Sequence, residues 1–218
     1  MAGFAASVKK RSKHKNPTGN AAFGTEAEYQ HCVGGGKELK PILNADSDEF
    51  KSGQGLHFTA VSSNVKVMSA IAAAHAELAR ARKLMESPSV RACLARMVDA
   101  FGTHGQIKRL GGTRMRITVG GLRIAPLQAG SIASGADGSY GLSLSIHITY
   151  TVYTGARTVE VPAILYVDGL TFGVGRAEIS LATDSLGEQF PPELEAKLYA
   201  NLVSRALAAA RQYPAIQS

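Results

Sequence analysis

Between Tyr140 and Thr183 the chain can do little other than build an antiparallel sheet. Leu142, Leu144, Ile146, Ile148, Tyr150 and Val152 alternate with Ser143, Ser145, His147, Thr149, Thr151 and Tyr153. A period of two sends one set to a buried face and the other to a wetter one. Thr154-Gly155 and Asp168-Gly169 then set off two further runs, from Thr158 to Val167 and from Leu170 to Thr183. Long apolar-rich runs joined by short Gly-bearing turns predict a three-stranded meander. Pro162 has no N–H to give to a ladder, so it belongs at an edge or a bulge. Gly173-Val174-Gly175 lies within a strand pattern and reads as a bulge.

The rest of the chain supplies elements to cover that sheet. His57 to Met68 reads as a first strand. Ser69 is placed to cap a helix from Ala70 to about Glu86, in which Ile71, Leu78 and Met85 recur with Ala74 and Ala81 between them. Ser87-Pro88 is an N-cap followed by proline at the first helical position. The helix it opens runs to Phe101 with Val90, Cys93, Leu94, Met97 and Val98 on one face, and Gly102 stops it. Lys108 to Leu127 predicts a strand, or two pieces split at Gly120-Gly121, and Gln128 to Ser139 a Gly/Ser/Ala loop. Phe190-Pro191-Pro192 opens a last helix to about Arg211, with Leu194, Leu198, Leu202 and Arg205/Leu207 along it. Upstream, Thr25 to Val33 fits a short helix with Thr25 and Glu28 as a capping box, ended by Gly34-Gly35-Gly36. The segment from Lys37 to Gly55 reads as a loop. The predicted class is therefore α+β: a twisted antiparallel sheet with helices packed mainly on one face, in the order β-α-α-β-β-β-β-α. Residues 1–24 are expected to be a disordered basic leader, 25–211 a single domain and 212–218 a tail.

The net charge of +7 suggests nucleic acid until it is located. Lys9, Lys10, Arg11, Lys13 and Lys15 form one run with no acid before Glu26, and without them the remaining 19 basic residues face 17 acids. The body is close to neutral, so nucleic acid is not an expected partner. The run itself is the one candidate surface-binding feature, suited to an anionic membrane or wall polymer at up to about 1 kcal/mol per cation. Residues 1–24 do not read as a signal peptide, because the apolar stretch is short and the cations come after it.

No reactive constellation stands out. Gly34-Gly35-Gly36-Lys37 lacks the leading glycine of a phosphate loop, with His31 in its place and Glu38 where Ser or Thr belongs. The histidines have no metal-ligand spacing; His75 is expected to be a hydrogen-bonded residue on an apolar helix face and His147 a surface residue. No serine sits in a nucleophile elbow. Asp46, Asp48 and Glu49 cluster in a loop but lack the glycine and final glutamate of an EF-hand. No catalytic residue, metal or cofactor is assigned, and the chain is not expected to be an enzyme.

Cys32 and Cys93 are the only cysteines. In a cytosolic protein they would be buried thiols, and in an exported one an even count suggests a bridge. The apolar helical neighbours of Cys93 argue for an inert thiol or a disulfide rather than a nucleophile.

Several local patterns together resemble a large group of exported actinobacterial proteins, many of them lipoproteins, without an assigned biochemical activity. They are Gln30-His31-Cys32-Val33-Gly34, then Ala45 to Gly53 and Val61-Ser62-Ser63-Asn64-Val65. Further on come Ser87 to Leu94, Tyr166-Val167-Asp168, Val174-Gly175-Arg176-Ala177-Glu178 and the Phe190-Pro191 helix. The chain is similar in this to sensor-like or PsbP-like extracytoplasmic domains. The resemblance implies export, a Cys32–Cys93 disulfide and a location outside the cell or on its envelope, with a lipid anchor on an upstream cysteine. It implies no catalytic residues. Function is accordingly expected to be that of a non-enzymatic binding or accessory domain with an envelope partner. The alternative is a carrier of a small apolar or lipid ligand, held between the sheet and the helix bearing Ala72, Ala73, Ala74, Ala76, Ala79 and Ala81.

Overall fold

The longest ladder pairs strand β7 (Gly138–Thr154) with β8 (Arg157–Val174), from Gly138 opposite Gly173 to Thr154 opposite Arg157. In a computed structural model, which describes residues 5–7, 31–34, 39–54, 56–104, 106–110, 113–127, 134–155 and 157–212, this hairpin lies inside a nine-stranded antiparallel sheet. The other strands are β1 (Ala5–Ser7), β2 (Leu43–Asp46), β3 (Glu49–Gln54), β4 (His57–Val67), β5 (Gln106–Leu110), β6 (Thr113–Pro126) and β9 (Ala177–Leu186). Their order across the sheet is β1-β3-β4-β9-β8-β7-β6-β5, and β2 also pairs with β4, beyond the end of β3. Helices α1 (Ile71–Glu86) and α2 (Pro88–His104) carry the chain from β4 to the far edge. From there β5 to β9 return as consecutive hairpins, and β9 closes against β4. Helix α3 (Pro192–Gln212) ends the described chain. The predicted α+β class and main element order hold, with short strands added at both edges.

Directly opposed residues share a face of a sheet, which fixes how the helices lie. Ile146 is opposite Leu165, Leu165 opposite Leu186 and Leu186 opposite Phe58. With Ile148 and Val119 this row packs beneath Val98 of α2. Leu78 of α1 reaches the same face, its Cδ2 lying over Gly138 and Gly173, where a Cβ would stand 3.1 Å and 3.4 Å from it. The other face carries Leu170, Phe172, Val174, Ile179 and Leu181, which pack beneath Tyr199, Val203 and Ala210 of α3. Two helices thus cover one face and the third covers the other.

This layering explains where the expected strand boundaries fail. Asp168-Gly169 is not a turn: Asp168 pairs with Ser143 and Thr183, and Gly169 with Leu142 and Ala182. Up to that point the odd residues Val161, Ala163, Leu165 and Val167 carry the apolar set, as one covered face requires. From Leu170 to Val174 every residue is buried, because α1 now covers one face and α3 the other. A change from alternating to continuous burial reads in the sequence like an interruption. The turn instead falls at Gly175-Arg176, between Val174 and Ala177, with Gly175 (φ +57°) at the first position of a two-residue hairpin. The expected bulge at Gly173 to Gly175 is therefore a strand end and its turn.

The real bulge interrupts β6 between Gly120 and Arg123, at the expected Gly120-Gly121 split. Gly121 sits at φ +68°, and its N–H donates to Asp99 Oδ1 of α2 at 2.8 Å. Pro162 faces Thr149 of β7, but β9 ends at Leu186 opposite Leu165, so the other side of β8 is an edge there. Helix α1 starts at Ile71 and Ala70 is its cap position, with no side-chain cap; Ser69 does not fill that role. Ser87 does cap α2, accepting from Val90 N–H at 3.4 Å. Helix α2 continues through Gly102 to His104. The expected loop between Lys37 and Gly55 contains β2 and β3, and the end of the expected Gln128–Ser139 loop is already strand from Gly138. In the expected leader, Ala5–Ser7 pair with Glu49–Lys51 on the outer edge of β3, and the remainder lies outside the described residues.

Hydrogen exchange gives a direct check on the strand assignment. The amides of Asp168 and Gly169 should exchange as slowly as those of Leu170 and Phe172, since they lie between two paired neighbours. Fast exchange confined to the two would restore the turn.

Candidate functional site

Cys32 and Cys93 are joined by a disulfide with their Cα atoms 5.4 Å apart, well within the span such a bond allows. Cys93 lies on α2 between the buried Val90 and Val98, while His31 and Cys32 are helical and Val33 is buried beside them. The bond ties the segment preceding the sheet to the helix that covers it. The rest of the expected Thr25–Val33 helix lies outside the described residues, as do Lys9, Lys10, Arg11, Lys13 and Lys15.

A second feature lies between the sheet and the first turns of α3. Pro191 and Pro192 start this helix, with Leu194 and Glu195 N–H both donating to Pro191 O. That places Glu195 and Tyr199, one turn apart, against the end of β9. Thr183 Oγ1 donates to Glu195 Oε1 at 2.6 Å and Tyr199 OH to the same oxygen at 3.2 Å. Asp168 is opposite Thr183 in the ladder and is 3% exposed, and its Oδ1 has no hydrogen-bond partner among the described residues. Burial pushes the Glu195 carboxyl above its ordinary range; the Thr183 hydrogen bond opposes this, and the nearby Asp168 charge adds to it. Burial and the same carboxylates drive the Tyr199 phenol upward as well. With Thr183 1%, Ser185 0% and Tyr199 1% exposed, the cluster is sealed from solvent.

The third feature is a groove of about 600 Å³ between α3 and strands β3 and β4. Leu194, Leu198 and Leu202, which run along α3, line it, and Leu198 and Leu202 also pack against the core. The buried stripe is Glu195, Tyr199, Val203 and Ala210. Leu194, Leu198 and Leu202 stand one position aside and are only half-buried. Phe50, 40% exposed, and Val61 opposite it in the ladder form the other wall. Arg205 lies at the C-terminal end of the leucine row.

The remaining expected positions are scattered over the fold. His75 is not on an apolar face; it is exposed, with Nε2 3.7 Å from Asp137 Oδ2, the oxygen that also accepts from Gly175 N–H. His147 is exposed, as expected, and packs beside Gly121. Asp46 ends β2 and its Oδ1 accepts from Asn64 Nδ2 at 2.7 Å, Glu49 pairs with Lys51 at 3.0 Å, and Asp48 lies between the two strands. Of the alanines expected to leave room for an apolar ligand, Ala72, Ala76 and Ala79 point to solvent and only Ala74 is buried. Leu78 fills the position against the sheet. The buried face of α1 is completed by Glu77: burial raises its carboxyl, but the Arg80 guanidinium, with Nε 3.0 Å from Oε2, holds it below its usual value. Among the described residues no cluster of three or more His, Cys, Asp or Glu is placed to hold a metal.

The buried cluster was not found from sequence, because Asp168 carries turn chemistry beside Gly169 and Glu195 looks like an acid stabilising a helix start. The one signal it left was the spacing of Glu195, Tyr199 and Val203 at intervals of four.

The chain matches no protein-family model and no curated protein. Among solved structures it is similar to the extracellular domain of PknH from Mycobacterium tuberculosis, at 10% identity and a TM-score of 0.25, over 85% of this chain and 94% of that one. A likeness at that TM-score bears on neither fold nor function here, and no family is assigned.

Because the native Glu195 carboxyl is raised, its contribution to stability is complete below the ordinary carboxylate range. That contribution is lost as pH rises through the raised native value. Glu195→Gln keeps an acceptor for Thr183 and Tyr199 but cannot ionise. Its urea midpoint should therefore gain on the wild type as pH goes from about 4 to 7. A constant difference across that range would mean the carboxylate is ionised there without penalty.

Proposed function

We propose that this chain is a non-enzymatic, extracytoplasmic binding or accessory domain of the cell envelope. The observation that carries the reading is the Cys32–Cys93 bond. Structural disulfides form and persist in oxidising compartments and are rare where glutathione and thioredoxin keep thiols reduced. The bridge closes a long loop between residues 61 positions apart, and on chain entropy such a closure is worth about 4 kcal/mol. A protein that relied on it inside a reducing cytosol would lose most of that.

The non-enzymatic part is supported by the placement of the acids. Asp168 and Glu195, two buried carboxyls in one cluster, meet in an interior that α3 closes. The binding part is supported by the open groove, where Leu194, Leu198, Leu202 and Phe50 keep apolar surface accessible at the edge of the core. No described helix is long and apolar enough to cross a membrane.

The reading is tested by intact mass of protein recovered from its native cells, trapped with a thiol alkylator before and after reduction. The expected result is no adduct before reduction and two afterwards, on a monomeric mass. Two adducts before reduction would remove the basis for an oxidising compartment. In parallel, Cys93→Ala should lower stability by about 4 kcal/mol. At roughly 2–4 °C per kcal/mol for a domain of this size, melting should fall by about 10 °C.

A further inference from the structure

We propose that the groove between α3 and strands β3 and β4 binds a single aliphatic chain carrying an anionic head group, with the chain along the leucine row and the head at Arg205. The proposal rests on the binding-domain reading and gives it a ligand class.

Three observations converge on this. The first is shape: at about 600 Å³ the groove has the size of a small-molecule site rather than of a protein interface. Leu194 to Arg205 span eleven helical steps, about 16 Å at 1.5 Å each, comparable to an extended medium-length acyl chain. The second is lining. Leu194, Leu198 and Leu202 on one wall and Phe50 and Val61 on the other supply apolar surface, Phe50 keeping 40% of its own in water, with Ser47, Ser62, Ser63 and Ser204 among the remaining lining residues. The third is charge. Arg205 is the one charged residue lining the groove, and among the described residues it makes no ion pair or hydrogen bond. Asn201, one turn before it on the same wall, adds an amide donor. A guanidinium at one end of the leucine row matches carboxylate or phosphate with its paired N–H groups.

The alternatives fit less well. An extended peptide would need a free strand edge to add to, but β4 is paired to β9 on one side and to β3 and β2 on the other. A neutral hydrocarbon would use the leucine row and leave Arg205 without a partner.

Isothermal titration of the full oxidised chain with decanoate, decyl phosphate and decanol tests this. Both anionic probes should bind saturably at one molecule per chain, and decanol more weakly. Arg205→Gln should weaken the anionic probes about tenfold, the loss expected for one charge-assisted hydrogen-bonded contact, and leave decanol unchanged. Asn201→Trp, at an exposed helical position, should fill the groove and remove binding of all three, with circular dichroism confirming that both variants keep the fold. Tighter decanoate identifies a free carboxylate as the head, and tighter decyl phosphate a phosphate-headed lipid. Absence of saturable binding by every probe, or binding that both variants leave unchanged, would overturn the proposal. Either result, obtained with the Cys32–Cys93 bond intact by mass, removes the ligand and leaves the extracytoplasmic reading to its own thiol test.

Discussion

Strand β8 is the constraint on which the rest of the molecule depends. It pairs with β7 along its whole length and with β9 from Leu165 onward, and from Asp168 it is covered on both faces. A strand in that position must be apolar on consecutive residues, and any polar group it carries needs a partner. Thr171 finds one in the facing Ser180 hydroxyl at 3.0 Å. Asp168 instead sits with Thr183, Glu195 and Tyr199 under α3, where the Thr183 and Tyr199 hydroxyls donate to Glu195 and burial raises its carboxyl. The polar cluster is thus a consequence of closing the second face.

The opposite layer is held by different means. Helix α2 is fixed at one point by the Cys32–Cys93 bond and at another by Asp99, which captures the free N–H of the β6 bulge at Gly121. A bulge bends its strand and leaves a donor unpaired; here the helix supplies the acceptor. Helix α1 has no side-chain cap and few buried residues, and its position comes from Leu78 seated on Gly138 and Gly173. At Gly138, where a Cβ would stand 3.1 Å from Leu78 Cδ2, glycine is what lets the helix approach the sheet so closely.

Helix α3 has two apolar stripes, and separating them gives the candidate site. The row of Glu195, Tyr199 and Val203 completes the core, and the row of Leu194, Leu198 and Leu202 lies beside it facing a groove. Leu198 and Leu202 also pack against the core, and the part of their row left accessible, ending at Arg205, places apolar surface beside a cation, which has the makings of a binding surface.

The α+β class, the β7 strand and the three long helical segments were legible in the residues, because periods of two and of 3.6 are set by backbone geometry and written directly into side-chain order. The cap at Ser87, an irregularity at Gly120-Gly121 (expected as a possible split and found as a bulge) and the edge character of Pro162 were legible for the same reason: each comes from what one residue's own backbone can donate or adopt. The switch at Asp168-Gly169 was not, since whether a strand is covered on one face or two depends on helices distant in sequence. Nor was the facing of α3, where a rotation of one residue decides whether Leu198 or Tyr199 enters the core. The sequence by itself determined where the long strands and helices lie, but not the short edge strands β1, β2 and β3. Only the tertiary structure decided which faces they bury, because burial is a property of the neighbour that arrives rather than of the segment it covers.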